Sequence, residues 1–247
     1  MKHVYYTYLL TILMSMVGAR GFAHDIEVAN NDGKTIYYNY NTDGSSVSVT
    51  YQGTSCSSYP NEYSGDVVIP ETVTYGGKTY SVTSIGSQAF SNCSGLTSVT
   101  VGNRVTSIGI SAFSNCSSLT SVTIGNSVTS ITHYTFYNCS NLTSITWNAK
   151  NYSSSSDSEK PFFHIMTQIT EFIIGDEVMS IPDYICYKMS NLKSVIIGNS
   201  VTTIGKEAFS GCSGLTSVTI PDSVTSIGEY NQEIKGVTNV EIIPVSA

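Results

Sequence analysis

Charge is scarce in this chain: Asp, Glu, Lys and Arg make up 12% of its 247 residues, and only 11 residues are basic. Nucleic acids and anionic membranes demand clustered Lys and Arg, so neither is an expected partner. Histidine is scarcer still, with His24, His133 and His164 the only three beyond residue 23. A nucleophile triad needs a base beside an acid and a nucleophile, and none of the three stands at such a spacing. There is no GxSxG, no HExxH, no glycine-rich phosphate loop and no calcium loop. The carboxylates are scattered. No enzyme activity, cofactor or metal is expected. Past the N-terminus, no apolar run approaches the roughly 20 residues a bilayer crossing requires.

What is present begins with an export-like segment. Lys2 gives a positive start, Val4 to Val17 is mostly apolar, and Gly21-Phe22-Ala23 places small residues at a cleavage site, with Val17-Gly18-Ala19 a second possibility. The alternative, a membrane anchor, fits poorly because the run is short and broken by Tyr5, Tyr6, Thr7, Tyr8 and Thr11. Removing residues 1–23 takes away Lys2 and Arg20 and leaves 9 basic against 18 acidic residues, a net of −9. The expected product is exported, acidic and without membrane insertion, secreted or displayed at the cell surface.

The remainder is periodic. Residues 82–104 read VTSIGSQAFSNCSGLTSVTVGNR, 105–127 read VTSIGISAFSNCSSLTSVTIGNS, and 201–223 read VTTIGKEAFSGCSGLTSVTIPDS. A period of 23 residues marks a solenoid in which no coil buries its apolar side alone. Coils open at Val82, Val105, Val128, Ser155, Val178, Val201 and Val224, and four extra residues between Val128 and Val178 fall in the Ser-rich run 152–158. A strand starts at Leu96, Leu119, Leu142, Ile169, Leu192 and Leu215 in turn. Another is expected at 236–242 (GVTNVEI), and an earlier one at 67–73 (VVIPETV). Within a coil, Leu96, Val99 and Val101 read as a strand with its apolar side inward. Val82 and Ile85 read as a second extended piece, and the spacing of Ala89, Phe90 and Cys93 predicts one turn of helix or 3₁₀. Ahead of the repeats, IYYNYN (36–41) and VSVTYQG (47–53) alternate around a turn at 42–45, which predicts a hairpin over the first coil.

The pattern IGxxAFxxCxxLTSVTIPxSVTSIG, over about residues 65–242, resembles the BspA-like leucine-rich repeat of bacterial surface proteins, found also in some parasitic protists. The resemblance implies a leucine-rich-repeat solenoid, a curved stack with a parallel sheet on its concave face, and adhesion to host proteins or neighbouring cells. The organisation expected is an export segment (1–23), an N-terminal β cap (24–63), leucine-rich repeats (64–243) and a short tail (244–247). At that tail either Glu241 and Pro244 blunt the last strand edge, or the edge pairs with another copy, or the reading frame is cut short.

Cys93, Cys116, Cys139 and Cys212 share one column, which could be a disulfide ladder or a metal column. Met166 and Met189 occupy the same column, which favours a buried apolar filler. Cys186 reads as core, and Cys56 has no assigned place. The Asn-Cys-Ser triplets at Asn92, Asn115 and Asn138 match the glycosylation pattern, but they recur because the turn recurs. The most informative surface is the outer side of the sheet. One column there holds Ser98, Ser121, Ser144, Glu171, Ser194 and Ser217, and another holds Thr100, Thr123, Thr146, Ile173, Ile196 and Thr219. Ser and Thr are good solvated strand surface; a hydroxyl ladder equally suits a carbohydrate or an ordered water lattice. Ile173 and Ile196, bordered by Glu171 and Lys193, are expected to form an apolar patch rimmed by charge, a common sign of binding. Trp147, Phe162 and Phe163 either join it or fill a bulkier fourth coil. The function expected is binding of an extracellular protein or glycan through Thr100, Thr123, Thr146, Glu171, Ile173, Lys193, Ile196 and Thr219. End-to-end self-association through the last coil is the alternative.

Overall fold

In the computed structural model, residues 24–30, 32–53, 55, 62–152 and 161–231 are described. The export segment, Cys56, most of the Ser-rich insertion and the strand expected at 236–242 lie outside them. The chain opens with β1 (Ile26–Ala29), β2 (Thr35–Tyr40), β3 (Ser46–Thr50), β4 (Gly65–Val68), β5 (Thr72–Tyr75) and β6 (Lys78–Ile85). Thereafter most coils contribute one strand of two to five residues and a second of two. These are β7 (Leu96–Thr100), β8 (Ser107–Ile108), β9 (Ser121–Ile124), β10 (Ser130–Ile131), β11 (Ser144–Trp147), β12 (Glu171–Ile174) and β13 (Ser180–Ile181). The last four are β14 (Ser194–Ile196), β15 (Thr203–Ile204), β16 (Ser217–Val218) and β17 (Ser226–Ile227).

Seven strands stack in the order β4-β7-β9-β11-β12-β14-β16 into one sheet, and every pairing in it is parallel. The short strands form a second side of the coils, β6-β8-β10 and β13-β15-β17, also parallel. Upstream, β1, β2 and β3 run antiparallel to one another, and β3 then pairs in parallel with β6. Side chains of the β1–β2 turn reach the outer edge of β4, where Lys34 Nζ donates to Ser64 O (2.5 Å) and Asn30 Nδ2 donates to Val68 O (3.1 Å). Coils approach closely at the corner after the long strands. A Cβ on Gly125 would meet Gly102 O at 2.5 Å, and one on Gly198 would meet Gly175 O at 2.5 Å, so only hydrogen fits there.

The third side departs from the sequence reading. The Ala89–Cys93 segment and its equivalents are not helical, except in the fourth coil, where Phe163–Ile165 forms the 3₁₀ turn that is the single described helix. Two residues per coil take left-handed backbone instead: Gln88 and Asn92 (φ 60° and 64°), Ser111 and Asn115, Tyr134 and Asn138, Tyr184 and Lys188, and Glu207 and Gly211. A left-handed residue every fourth position interrupts any helix and turns alternate N–H groups toward the next coil. Thus Gln88, Phe90 and Asn92 donate to the carbonyls of Ile110, Ala112 and Ser114, and Ser111, Phe113 and Asn115 donate to those of His133, Thr135 and Tyr137. This backbone ladder fixes the side chains. Asn tolerates the left-handed region, and the Asn115 and Asn138 amides donate to Asn92 Oδ1 and Asn115 Oδ1, each at 3.0 Å. The ladder closes on a side chain: Phe209 N–H donates to Asn231 Oδ1 (3.0 Å), while Asn231 Nδ2 donates to Gly205 O and Gly228 O.

Between the three sides runs one continuous core. Its axis is a ring stack through Tyr63, Phe90, Phe113, Phe136 and Phe162, with successive centroids 4.4 to 5.6 Å apart. The insertion shifts the fourth coil's register. Ile165, not Met166, fills the cysteine column there: its N–H closes on Phe162 O (3.0 Å) as Cys139 N–H closes on Phe136 O (3.2 Å), and Met166 is only half-buried. Trp147 and Phe162 are buried in the same coil against Phe172.

Lys188 occupies the left-handed column that holds Asn in three other coils, without the tolerance Asn has. Lys188→Asn is expected to stabilise the protein by about 0.5–1 kcal/mol, read as a higher midpoint in thermal unfolding. Glu62 sits half-buried at the N-terminal end, where desolvation pushes its carboxyl up to about 7 although Gln52 N–H donates to it. A raised carboxyl favours the fold when protonated, so stability falls as pH rises from 4.5 toward about 7. Glu62→Gln is expected to flatten that part of the stability–pH curve.

Candidate functional site

The parallel registers decide which side chains stand together on the outer side of the seven-stranded sheet. Thr100 pairs with Thr123, Thr123 with Thr146, Thr146 with Ile173, and Ile173 with Ile196. Thr219 follows β16 and is exposed. The anticipated column is therefore one physical row, repeating at about the 4.8 Å interstrand distance. It starts one strand earlier than anticipated, because Val68 pairs with Thr100 and is 44% exposed. At the far end Ile196 is 54% exposed. Ile173 between them is half-buried, so the apolar patch centres on Ile196. Trp147 and Phe162 belong to the core and contribute nothing to it.

The neighbouring row runs Asp66, Ser98, Ser121, Ser144, Glu171, Ser194 and Ser217. Asp66 was legible in the sequence only by extending the Val67 strand backward. Its carboxylate accepts from Ser98 Oγ and Thr97 Oγ1, both at 2.7 Å, which hold its pKa below the usual carboxylate range. Glu171 accepts from Ser144 Oγ (2.7 Å). Lys193 is exposed beside this row, and among the described residues no ion pair joins it to Glu171.

Hydroxyls divide by row. Thr120, Thr143, Thr170 and Thr216 turn back and donate to the carbonyl of the preceding coil, at 3.0 to 3.5 Å. Thr100, Thr123 and Thr146 make no such bond among the described residues, so their hydroxyls face solvent as a ladder of donors and acceptors. Such a strip offers an extended shape, hydrogen-bonding groups and a small apolar patch. Of the histidines, His24 Nδ1 lies against Gln52 O (2.9 Å) and His164 stacks on Tyr134. Among the described residues no group of three or more His, Cys, Asp or Glu is placed to hold a metal, and no helix is long and apolar enough to cross a membrane.

Parallel strands, one per coil and stacked into a solenoid, define a leucine-rich-repeat protein. The BspA type leucine rich repeat region matches residues 77–188 and 157–244, in six copies, and the chain belongs to that family. It is 30% identical to a leucine rich cell surface protein from Faecalibacterium prausnitzii, over 83% of this chain and 52% of that one, with a TM-score of 0.47. The chain thus spans about half the length of that relative. A leucine rich repeat protein from T. pallidum shares the fold at 21% identity and a TM-score of 0.53, over 78% of this chain and 83% of that one. A leucine-rich repeat protein from Bacteroides capillosus is 30% identical over 49% of this chain and 82% of its own, with a TM-score of 0.39. Comparison with the curated proteins gave no match. Proteins of this family are in general binding or structural proteins.

The described cysteines are structural. All five are free and buried, and the thiols of Cys116, Cys139 and Cys212 donate to Phe90 O, Phe113 O and Cys186 O at 3.0 to 3.1 Å. Burial pushes the Cys93 thiol up to about 12 and raises Cys186 well above its ordinary value. Cys116 is raised chiefly by the neighbouring Cys139 thiol and then by burial. Since burial shields all five thiols from reagent, Cys93, Cys116, Cys139, Cys186 and Cys212 should resist iodoacetamide in the native protein and react after unfolding. Peptide mapping reads this directly; rapid native labelling at any of the five would contradict the assignment.

Proposed function

We propose that this chain is an exported binding module, displayed at or released from the cell surface, which engages an extracellular protein or glycan through the outer face of its parallel sheet. The observation that carries the reading is the single registered row Val68–Thr100–Thr123–Thr146–Ile173–Ile196. Its hydroxyls are unengaged, it carries apolar anchors at both ends, and Asp66, Glu171 and Lys193 lie beside it. Apolar anchors supply affinity and the polar ladder supplies register. The export-like N-terminus and the cell-surface description of the F. prausnitzii relative support the location. The adhesive role is what the family resemblance implies. End-to-end stacking through the last coil is the alternative.

An array of extracellular-matrix proteins and glycans probed with residues 24–247 tests the reading, with Ile173→Lys/Ile196→Lys alongside. A ligand that the double variant binds about tenfold or more weakly supports it. A ligand bound equally by both proteins, or growth of the free protein into stacked multimers, would move the function off this face.

A further inference from the structure

The turn side carries a second surface that the scaffold does not require. Immediately after the ring-stack position, the six described coils hold Ser91, Ser114, Tyr137, Phe163, Tyr187 and Ser210. The equivalence follows from the turns themselves: Tyr137 N–H closes on Tyr134 O and Tyr187 N–H on Tyr184 O, as Ser91 N–H closes on Gln88 O and Ser114 N–H on Ser111 O. Three consecutive coils therefore place an aromatic ring where the flanking coils manage with serine. Tyr137 and Phe163 are 47% and 52% exposed.

The first left-handed position repeats the departure. It holds Gln88, Ser111 and Glu207 in the outer coils but Tyr134 and Tyr184 in the middle ones, both at φ 58°. A bulky ring gains nothing from left-handed backbone, and Tyr134 leaves 51% of its surface in water. Stability does not account for these residues. Both tyrosine pairs also have the same geometry: Tyr134–Tyr137 centroids are 5.8 Å apart at 79°, and Tyr184–Tyr187 are 5.9 Å apart at 78°. His164 fills the interval, stacked on Tyr134 at 4.7 Å and edge-on to Tyr137 at 5.4 Å.

We propose that Tyr134, Tyr137, Phe163 and His164, flanked by Tyr184 and Tyr187, form a platform that binds a neutral glycan chain. The surface is open: the cavity beneath it, between His133, Pro161 and Phe163, holds about 30 Å³, too little for a sugar ring. The ligand must therefore lie across the rings. Ring faces suit the C–H faces of pyranoses, and phenol and imidazole tips suit their hydroxyls. Equivalent rings two coils apart are separated by about 10 Å, a span that successive sugars of one chain cover. Charge selects the neutral class, because segments 132–141 and 161–170 contain no Asp, Glu, Lys or Arg. At the flank Lys188 Nζ lies 5.0 Å over the Tyr187 ring, which leaves the Tyr134–Phe163 part as the centre.

Full-length mature chain is titrated with neutral gluco-, manno-, galacto- and N-acetylglucosamine oligosaccharides and with sialylated and sulfated counterparts. Tyrosine fluorescence and calorimetry give the readout. Tyr134→Ser/Tyr137→Ser installs the pair that the second coil already carries at Ser111 and Ser114, and Phe163→Ser installs the residue of three other coils, so folding, checked by circular dichroism, is kept. The expected result is binding of a neutral oligosaccharide that either variant weakens about tenfold or more, while Ile173→Lys/Ile196→Lys leaves it unchanged. That control separates this surface from the sheet face. Binding of anionic glycans alone, binding that survives both serine variants, or no glycan binding would overturn the proposal. So would a wild-type self-association that the tyrosine variant abolishes, which would make the platform a contact between copies.

Discussion

Backbone hydrogen bonding from coil to coil is the constraint on which the rest of this structure depends. A 23-residue coil has no helix to satisfy its own N–H and C=O groups, and unpaired buried groups are costly. Short turns close some of these groups within the coil, and the rest find their partners one coil away, on all three sides. On two sides strands do this in parallel register. On the third, left-handed residues at every fourth position aim alternate N–H groups at the next coil. Column identity follows: glycine where carbonyls approach, Asn where the backbone turns left-handed, and Cys where a small apolar group can also donate to a carbonyl.

The same constraint explains why the interior columns change mostly from one apolar side chain to another. Stacked phenylalanine rings, buried thiols and aliphatic columns form one continuous core, in which a fully buried aliphatic or aromatic side chain contributes about 1.5–3 kcal/mol. Changing a column inside affects both neighbouring coils. Outward positions carry no such penalty, so departures from the repeat there are informative. Ile173 and Ile196 interrupt a threonine row, and Tyr137, Phe163 and Tyr187 interrupt a serine column. The two departures occupy different sides of the same middle coils, so one scaffold presents two surfaces of different character, a hydroxyl strip with an apolar end and an aromatic platform.

The fourth coil shows how an irregularity is absorbed. Four extra residues do not break the stack, because the strand returns to register at Glu171 against Ser144 while the turn before it returns one residue sooner, at Phe162. The remaining residue is taken up between Ile165 and Ile169, where Gln168 N–H closes on Ile165 O (3.0 Å) as Leu142 N–H closes on Cys139 O in the preceding coil. Trp147 fills the extra volume, and among the described residues its indole N–H has no partner.

Periodicity alone determined the architecture: the 23-residue spacing of Leu, Val, Phe and Cys identified the coil, its two extended sides and the outward columns Thr100–Thr123–Thr146–Ile173–Ile196. Those columns were legible because parallel register pairs equivalent residues of successive repeats. The tertiary structure decided what spacing cannot encode. Ala89 to Cys93 has helical spacing yet lies in left-handed turns, because alternate N–H groups, those of Phe90 and Asn92, donate to the next coil while those of Ala89, Ser91 and Cys93 close short turns within their own. Ile165 rather than Met166 took the core position, because the insertion is divided between turn and strand. Val68 and Asp66 joined the outer rows through pairing with β7. The aromatic side emerged only once Phe163 was placed beside Tyr137, since four inserted residues hide that equivalence in the sequence and hydrogen bonding between coils reveals it.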